Sequence, residues 1–309
     1  MLLAQRIHKT ILGFFLYCIV LTSCEKEPRL IPDNDAPPGD YVPTVLIENY
    51  VNRIYIDLLG REALDEELAR DVQILRDDSL SIESRAIIVY RLQHDSTFVP
   101  GDSSYEQAYY QRIYDIGKQR MIEGVEDGYL TEERGLLGID LNRAITAGDS
   151  ASAADIRQDI EEIDNVLTIR QDYQYGRIGI EGVFRRLSNN FVYDIINMNT
   201  FNFINATFDN LFYRFPTSQE YDIAYEMIEN NRSGSILGMT GQDRSDYLDI
   251  VTNSRAFYEG TIIWAYQQLV GRNPTAEELS VQMDAFFIDH DFQAVQLKIM
   301  VTDEYANFN

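Results

Sequence analysis

The chain has 309 residues, with 26 basic and 50 acidic side chains and a formal net charge of −24. A body this acidic repels nucleic acid and anionic lipid headgroups, which excludes binding driven by phosphate contacts. Apolar content of 45% and aromatic content of 12% belong to a folded protein, and the length suffices for a sizeable core in one or two domains.

The first 23 residues hold Arg6, His8 and Lys9 and no acid. An apolar stretch, Ile11 to Leu21, follows, then small polar residues and Cys24. This is the charged, apolar, small order of an export signal. The apolar stretch is shorter than the roughly 20 residues that span a bilayer. An uncleaved signal anchor over Met1 to Leu21, or a buried helix, is the alternative. The stretch Leu21-Thr22-Ser23-Cys24 resembles the lipobox of bacterial lipoproteins. That resemblance implies a signal peptide over 1–23, acylation of Cys24 by palmitate-type chains, and a body anchored to a membrane outside the cytoplasm. Several acyl chains, at about 0.8 kcal/mol per buried methylene, hold such an anchor stably.

Glu25 in place of Asp leans towards the outer membrane. The run Cys24-Glu25-Lys26-Glu27 resembles the surface-export tags of Bacteroidota lipoproteins, so the periplasmic and cell-surface faces both stay open. Cys18 would leave with the signal, and with it Arg6 and Lys9, making the body still more acidic. One acylated cysteine then remains, which permits no intrachain disulfide and no thiolate metal site. No Cys-x-x-Cys-His run is present for haem attachment.

Residues 24–43 form an acidic tether. Five of the eight prolines lie here, Pro28, Pro32, Pro37, Pro38 and Pro43. At about 3.1 Å per residue, such a segment can hold the body roughly 60 Å from the lipid. Asp33-Asn34-Asp35 opens like a calcium loop but runs into Pro37-Pro38 without the distal Glu, so it is not read as a site.

The body then repeats itself. One copy reads Tyr55-Ile-Asp-Leu58-Leu59-Gly60-Arg61 with Glu67-Leu68. A second reads Phe208-Asp-Asn-Leu211-Phe212-Tyr213-Arg214-Phe-Pro216-Thr217 with Glu220-Tyr221. A third reads Tyr266-Gln-Gln-Leu269-Val270-Gly271-Arg272-Asn-Pro274-Thr275 with Glu278-Leu279. Upstream of the first, Ile47, Tyr50, Val51, Ile54, Tyr55 and Leu58 recur at helical spacing. Gly60 and Gly271 suit a left-handed helix end, and Tyr213 implies a different cap in the middle copy. Thr217 with Glu220 and Thr275 with Glu278 are capping boxes, and Asp65 is expected to cap the first copy. Each unit closes on a third helix with a polar-plus-aromatic mark, at Ser84 to Phe98, Ser245 to Phe257 and Phe292 to Tyr305. The expected units are 44–99, 204–258 and 259–309. The pattern Tyr-x-x-Leu-Leu-Gly-Arg-x-Pro-Thr resembles helical repeat domains of unknown function in exported bacterial proteins. The resemblance implies an all-helical fold and carries no catalytic residue. The missing haem motif counts against a related variety that accompanies predicted cytochromes c.

An insertion, 100–203, reads as further helices. Tyr105, Tyr109, Ile113 and Ile116 form one stripe, and Ile156, Ile160, Ile163 and Leu167 another. Thr131 is expected to cap a helix, Gly148-Asp149-Ser150 to form a loop, and Val192 to Phe212 to be buried. No period-two alternation persists. The predicted fold is all-α: repeated helix-turn-helix units in a helical bundle with a long helical insertion.

Chemistry is sparse. His94-Asp95 and His290-Asp291 could form a metal or acid–base site only if brought together; surface histidines are the expectation. Glu83-Ser84 is similar to the Glu-Ser of helical lytic transglycosylases, but Gly135-Leu136-Leu137-Gly138 is a poor match to their next motif. Gly176, Gly179 and Gly182 read as a turn, not a phosphate loop. Tyr105, Tyr109, Tyr110 and Tyr114 are weighed as a helix seam against a sugar-stacking surface, and Trp264 as core. Asp78-Ser79-Leu80, Asp95-Ser96-Thr97 and Asp149-Ser150-Ala151 resemble the O-glycosylation sites of exported Bacteroidota proteins. No catalytic, cofactor or metal residue is assigned; Cys24 is the one site, for lipidation. The expectation is a non-enzymatic, lipid-anchored structural or adaptor subunit of an outer-membrane assembly, with an envelope protein as partner. The alternative is a glycan-binding lipoprotein beside an outer-membrane transporter, and a cell-wall hydrolase ranks behind it.

Overall fold

Six apolar residues of the first copy, from Ile47 to Leu58, bury along one face of helix α1 (Thr44–Leu59). The helix ends where Gly60 turns left-handed, with φ at 77°. In the computed structural model, which describes residues 42–98 and 103–308, the rest of the chain follows the same logic. The described residues hold sixteen helices and one two-stranded hairpin. The fold is all-α. Cys24, the signal and the tether up to residue 41 lie outside the described residues. Residues 43–309 make one compact unit.

Repeat 1 continues with α2 (Asp65–Asp77) and α3 (Ile82–His94). Then come α4 (Tyr105–Met121), α5 (Asp127–Ala147), α6 (Ser150–Leu167), α7 (Ile169–Gln174), α8 (Ile180–Ser188) and α9 (Phe191–Asn197). Repeat 2 comprises α10 (Thr200–Phe212), α11 (Ser218–Asn230), the strands β1 (Gly234–Ile236) and β2 (Met239–Gly241), and α12 (Arg244–Asn253). Repeat 3 comprises α13 (Arg255–Val270), α14 (Ala276–Asp289), α15 (Phe292–Met300) and α16 (Asp303–Ala306).

The ends of the folded body meet. Tyr50 Oη donates to the Met300 carbonyl at 3.0 Å, and Arg85 Nη1 to the Val301 carbonyl at 2.8 Å. The amides of Gln93 and Gln293 each donate to the other's main-chain carbonyl, at 3.1 and 3.2 Å. Repeats 2 and 3 meet differently, backbone against backbone. A Cβ added at Gly260 of α13 would stand 1.9 Å from the Leu211 carbonyl oxygen of α10. Only glycine permits that approach.

The predicted insertion divides in two. Helix α4 belongs to the body: Tyr105, Tyr109, Ile113 and Tyr114 are buried, as a helix seam requires. Helices α5 and α6 form an antiparallel arm instead. Leu130 is the one buried side chain of α5, while Leu136, Ile139 and Ile145 are half exposed. In α6, Ile163 is buried and Ile156 and Ile160 are partly so. Gly148 ends α5 left-handed and Asp149 caps α6, making the expected loop.

Several expectations need correction. The unit limits at 203/204 and 258/259 fall inside α10 and α13. The true starts are the caps Asn199 and Ser254, whose side chains accept from Asn202 and Phe257 N–H. Thr131 lies inside α5 and donates to the Asp127 carbonyl, since the helix already begins at Asp127. Asp65 is the first helical residue of α2, not its cap; Leu64 holds that position with no side-chain cap bond. Phe98 is 69% exposed, unlike Phe257 and Tyr305, so the closing mark fails in the first copy. Tyr213 adopts the left-handed conformation after all, with φ at 56°. Of the Val192 to Phe212 run, Ile195, Met198 and Phe201 are exposed. The β1–β2 hairpin is too short, at three residues a strand, to register as alternation.

Candidate functional site

Each repeat copy closes its first turn with the same clasp. Arg61, Arg214 and Arg272 hold Glu67, Glu220 and Glu278 through both Nη atoms, at 2.7 to 2.9 Å. Each Nη1 also donates to the next residue's carbonyl. Each carboxylate in turn accepts the N–H of the N-cap residue, Leu64, Thr217 or Thr275, at 2.7 to 2.8 Å. Paired, two-pronged bonds of this kind fix angle as well as distance. Arg214 and Arg272 hold the Glu220 and Glu278 carboxyls down at about 2. Burial would raise Glu67, but Arg61, the Leu64 N–H and Tyr105 outweigh it and its pKa is lowered.

In each copy the clasp arginine lies two residues beyond the end of the first helix and the glutamate six residues further on. One position stands out, the residue before the leucine shared by all three copies (Leu58, Leu211 and Leu269): Asp57, Asn210 and Gln268. All three point to one groove. It runs beside α4, with α13 and the end of α10 across from it.

The wider part of the groove has a volume of 390 Å³ and is lined by Gln119 and Arg120 of α4, Asp209 and Asn210 of α10, and Trp264 and Gln268 of α13. A narrow neighbouring pocket of 30 Å³ shares Ile116, Trp264 and Gln268 and adds Asp57, Arg112 and Gln296. Arginines line it because helix ends do. Arg112 lies against Gly60 at the end of α1, its Cδ 3.5 Å from where a Cβ would stand. Arg120 covers Tyr213 at the end of α10, 4.5 Å from the ring centre, and donates to Tyr213 Oη at 2.5 Å and to the Asn210 carbonyl. The negative end of a helix dipole favours a cation in both places.

Burial sets the electrostatics. It raises the pKa of the Asp57 carboxyl despite the hydrogen bond from Tyr305 Oη at 2.8 Å and the nearby Arg53 and Arg112. It lowers that of the Arg120 guanidinium, against the pull of Tyr213 and Asp209. Arg112 Nε is buried with no hydrogen-bond partner. Among the described residues the side chains of Arg112, Gln119, Asp209 and Gln268 make no hydrogen bond, although Arg112 lies near Asp57 and Asp209 near Arg120.

The most ionic cluster lies elsewhere, around the carboxylate of Asp71. Asp71, fully buried, accepts from Tyr55 at 2.9 Å, Arg70 at 2.9 Å and Arg91 at 2.6 Å. Tyr105 Oη donates to Glu67 at 2.7 Å.

The sequence candidates scatter. His94 stacks on Tyr90 and contacts its carbonyl at 2.9 Å. His290, left-handed at the end of α14, meets Tyr258 Oη at 3.1 Å. Each ring is thus held by its own neighbours. Glu83 is exposed in the first turn of α3, while Ser84 bonds back to the Ser81 carbonyl. Gly135 and Gly138 lie within α5, and Gly176 turns left-handed between α7 and α8. Ser79, Ser96 and Ser150 are all exposed. Trp264 is core, 3% exposed, yet its edge lines the groove. Among the described residues no group of three or more His, Cys, Asp or Glu could hold a metal ion, and no helix is long and apolar enough to cross a membrane. The residues that sequence reasoning missed are Arg112, Gln119, Arg120, Asp209 and Gln268. The available signal was the aligned position of Asp57, Asn210 and Gln268, polar in every copy beside an invariant leucine. Compared with protein-family models, curated proteins and solved structures, the chain has no match in any of the three.

Proposed function

We propose that the protein is a non-enzymatic, lipid-anchored structural or adaptor subunit of a cell-envelope assembly, held at the outer membrane by acylated Cys24. The observation that carries this reading is the placement of Cys24 at the end of a charged, apolar, small-residue leader and ahead of a proline-rich spacer. Two features of the folded body support it. The clasped repeats make a rigid helical scaffold. Apolar side chains stand exposed on α3, where Ile82, Ile87 and Tyr90 are about 60% exposed, and on the α5–α6 arm. Exposed apolar surface, where it is contiguous, marks protein contacts, and an envelope protein is the partner that the anchor would bring within reach.

The test is metabolic labelling with an alkynyl fatty acid followed by cross-linking in the native membrane. Label on the wild type, loss of label in Cys24→Ser, and recovery of a cross-linked envelope protein are the expected results. A soluble, unlabelled chain that retains residues 1–23 would overturn the anchor. A labelled chain that cross-links to nothing would overturn the adaptor role.

A further inference from the structure

We infer that the groove beside α4 binds a neutral saccharide of one or two pyranose rings, through Arg112, Gln119, Asp209 and Gln268. The wider part, at 390 Å³, falls within the roughly 300 to 1,000 Å³ of small-ligand clefts. The lining discriminates by charge. An anion would face Asp209 in the wider part and Asp57 in the narrow one, and a cation would face Arg120 and Arg112. A hydroxyl both donates and accepts, so a ring bearing several satisfies guanidinium, amide and carboxylate together.

Two observations point to a ligand rather than to packing. First, Arg112 stands in a partly buried site with Nε buried and unpartnered. Such a group is costly to leave unmet. Second, the three repeats each present a hydrogen-bonding side chain to the groove from the same motif position. Asp57 and Asn210 are engaged within the fold, by Tyr305 and by Tyr193. Gln268, exposed on α13, has no internal partner. Ile116 and the small exposed part of Trp264 supply the apolar share of the lining.

The inference stands apart from the anchor and the adaptor role, because the groove lies wholly in the folded body. The chain's single tryptophan is its reporter. The full chain, in detergent, would be titrated with maltotetraose, cellotetraose, mannotetraose and chitotetraose while Trp264 emission is followed. Citrate and penta-alanine serve as the anionic and peptide comparisons. At least one of the oligosaccharides should give a saturable change. Gln268→Ala and Arg112→Met should each weaken it about tenfold, with helical circular dichroism unchanged, while Tyr90→Ser on the far surface of α3 leaves it alone. Should Arg112→Met not fold, Gln268→Ala, at an exposed side chain, decides the matter. Silence from all four sugars, a response to citrate or the peptide only, or unchanged affinity in Gln268→Ala would overturn the inference.

Discussion

Repeats 1 and 3 carry the same clasp in opposite surroundings. The Glu67 side chain is 6% exposed, that of Glu278 31%. Around Glu67 the bonds continue inward, through Tyr105 to Arg70 and on to the buried Asp71. Around Glu278 they continue outward, because Arg272 also holds Glu304 at the surface, at 2.6 and 2.7 Å. The local geometry is nonetheless the same in both. The clasp is therefore a device of the turn itself, written by an arginine, a glutamate six residues on and the start of a helix. Burial does not create it; burial sets what is lost when it breaks.

That contrast can be broken at its strongest point. Glu67→Ala removes the carboxylate that Arg61 and Tyr105 share in a nearly closed site, and should cost about 4 kcal/mol, read as a fall in the urea midpoint. A loss no greater than that of Glu278→Ala would show that burial contributes nothing. Next in size is the seam between repeats 2 and 3. Gly260→Ala would drive α13 off α10 and should cost about 3 kcal/mol, with Tm falling well below that of Gly128→Ala, where a Cβ meets nothing within 4 Å.

Two smaller changes sharpen the picture. Gly60→Ala puts a side chain at φ 77° and should cost about 1 kcal/mol from backbone strain. Its added Cβ meets Arg112 only at ordinary contact distance, so a much larger loss would mean that Arg112 is more tightly held than the geometry shows. Glu278→Ala, at an exposed pair, should cost no more than about 1 kcal/mol.

Acid completes the comparison. Glu220 and Glu278 titrate at about 2 in the folded chain against an ordinary 4.5. Their contribution is complete above 4.5 and drains away as the pH falls towards 2. The double variant Glu220→Gln/Glu278→Gln should lose stability at pH 7 and show a shallower decline between pH 4.5 and 2, measured as urea midpoints across that window. Equal slopes in variant and wild type would refute the shifted carboxyls.

Much of this was legible in residues. The α1 stripe from Ile47 to Leu58, the glycine caps at 60 and 271 and the capping boxes at Thr217 and Thr275 each follow from interactions within a few residues. The failures share one cause. Thr131 and Asp65 are good caps by type, but a helix starts where its whole first turn is best satisfied, and the neighbours decided otherwise. Tyr213 takes a conformation that costs most residues about 1 kcal/mol, and the covering Arg120 comes from 93 residues away.

The candidate groove was the least legible feature. Arg112 and Arg120 carry no motif, and in sequence they are two cations on an ordinary helix. Their roles arise because α4 passes two helix ends contributed by separate repeats.

The sequence alone therefore determined the repeat, the helices, their turns and the clasps, since each depends on contacts between residues close along the chain. It also set Asp57, Asn210 and Gln268 as equivalent positions. Only the tertiary structure decided that the three converge, that repeat 1 seals against repeat 3, and that polar groups without hydrogen-bond partners meet in one cleft. Those outcomes depend on how preformed helices pack, and packing couples residues too far apart in sequence for any local pattern to record.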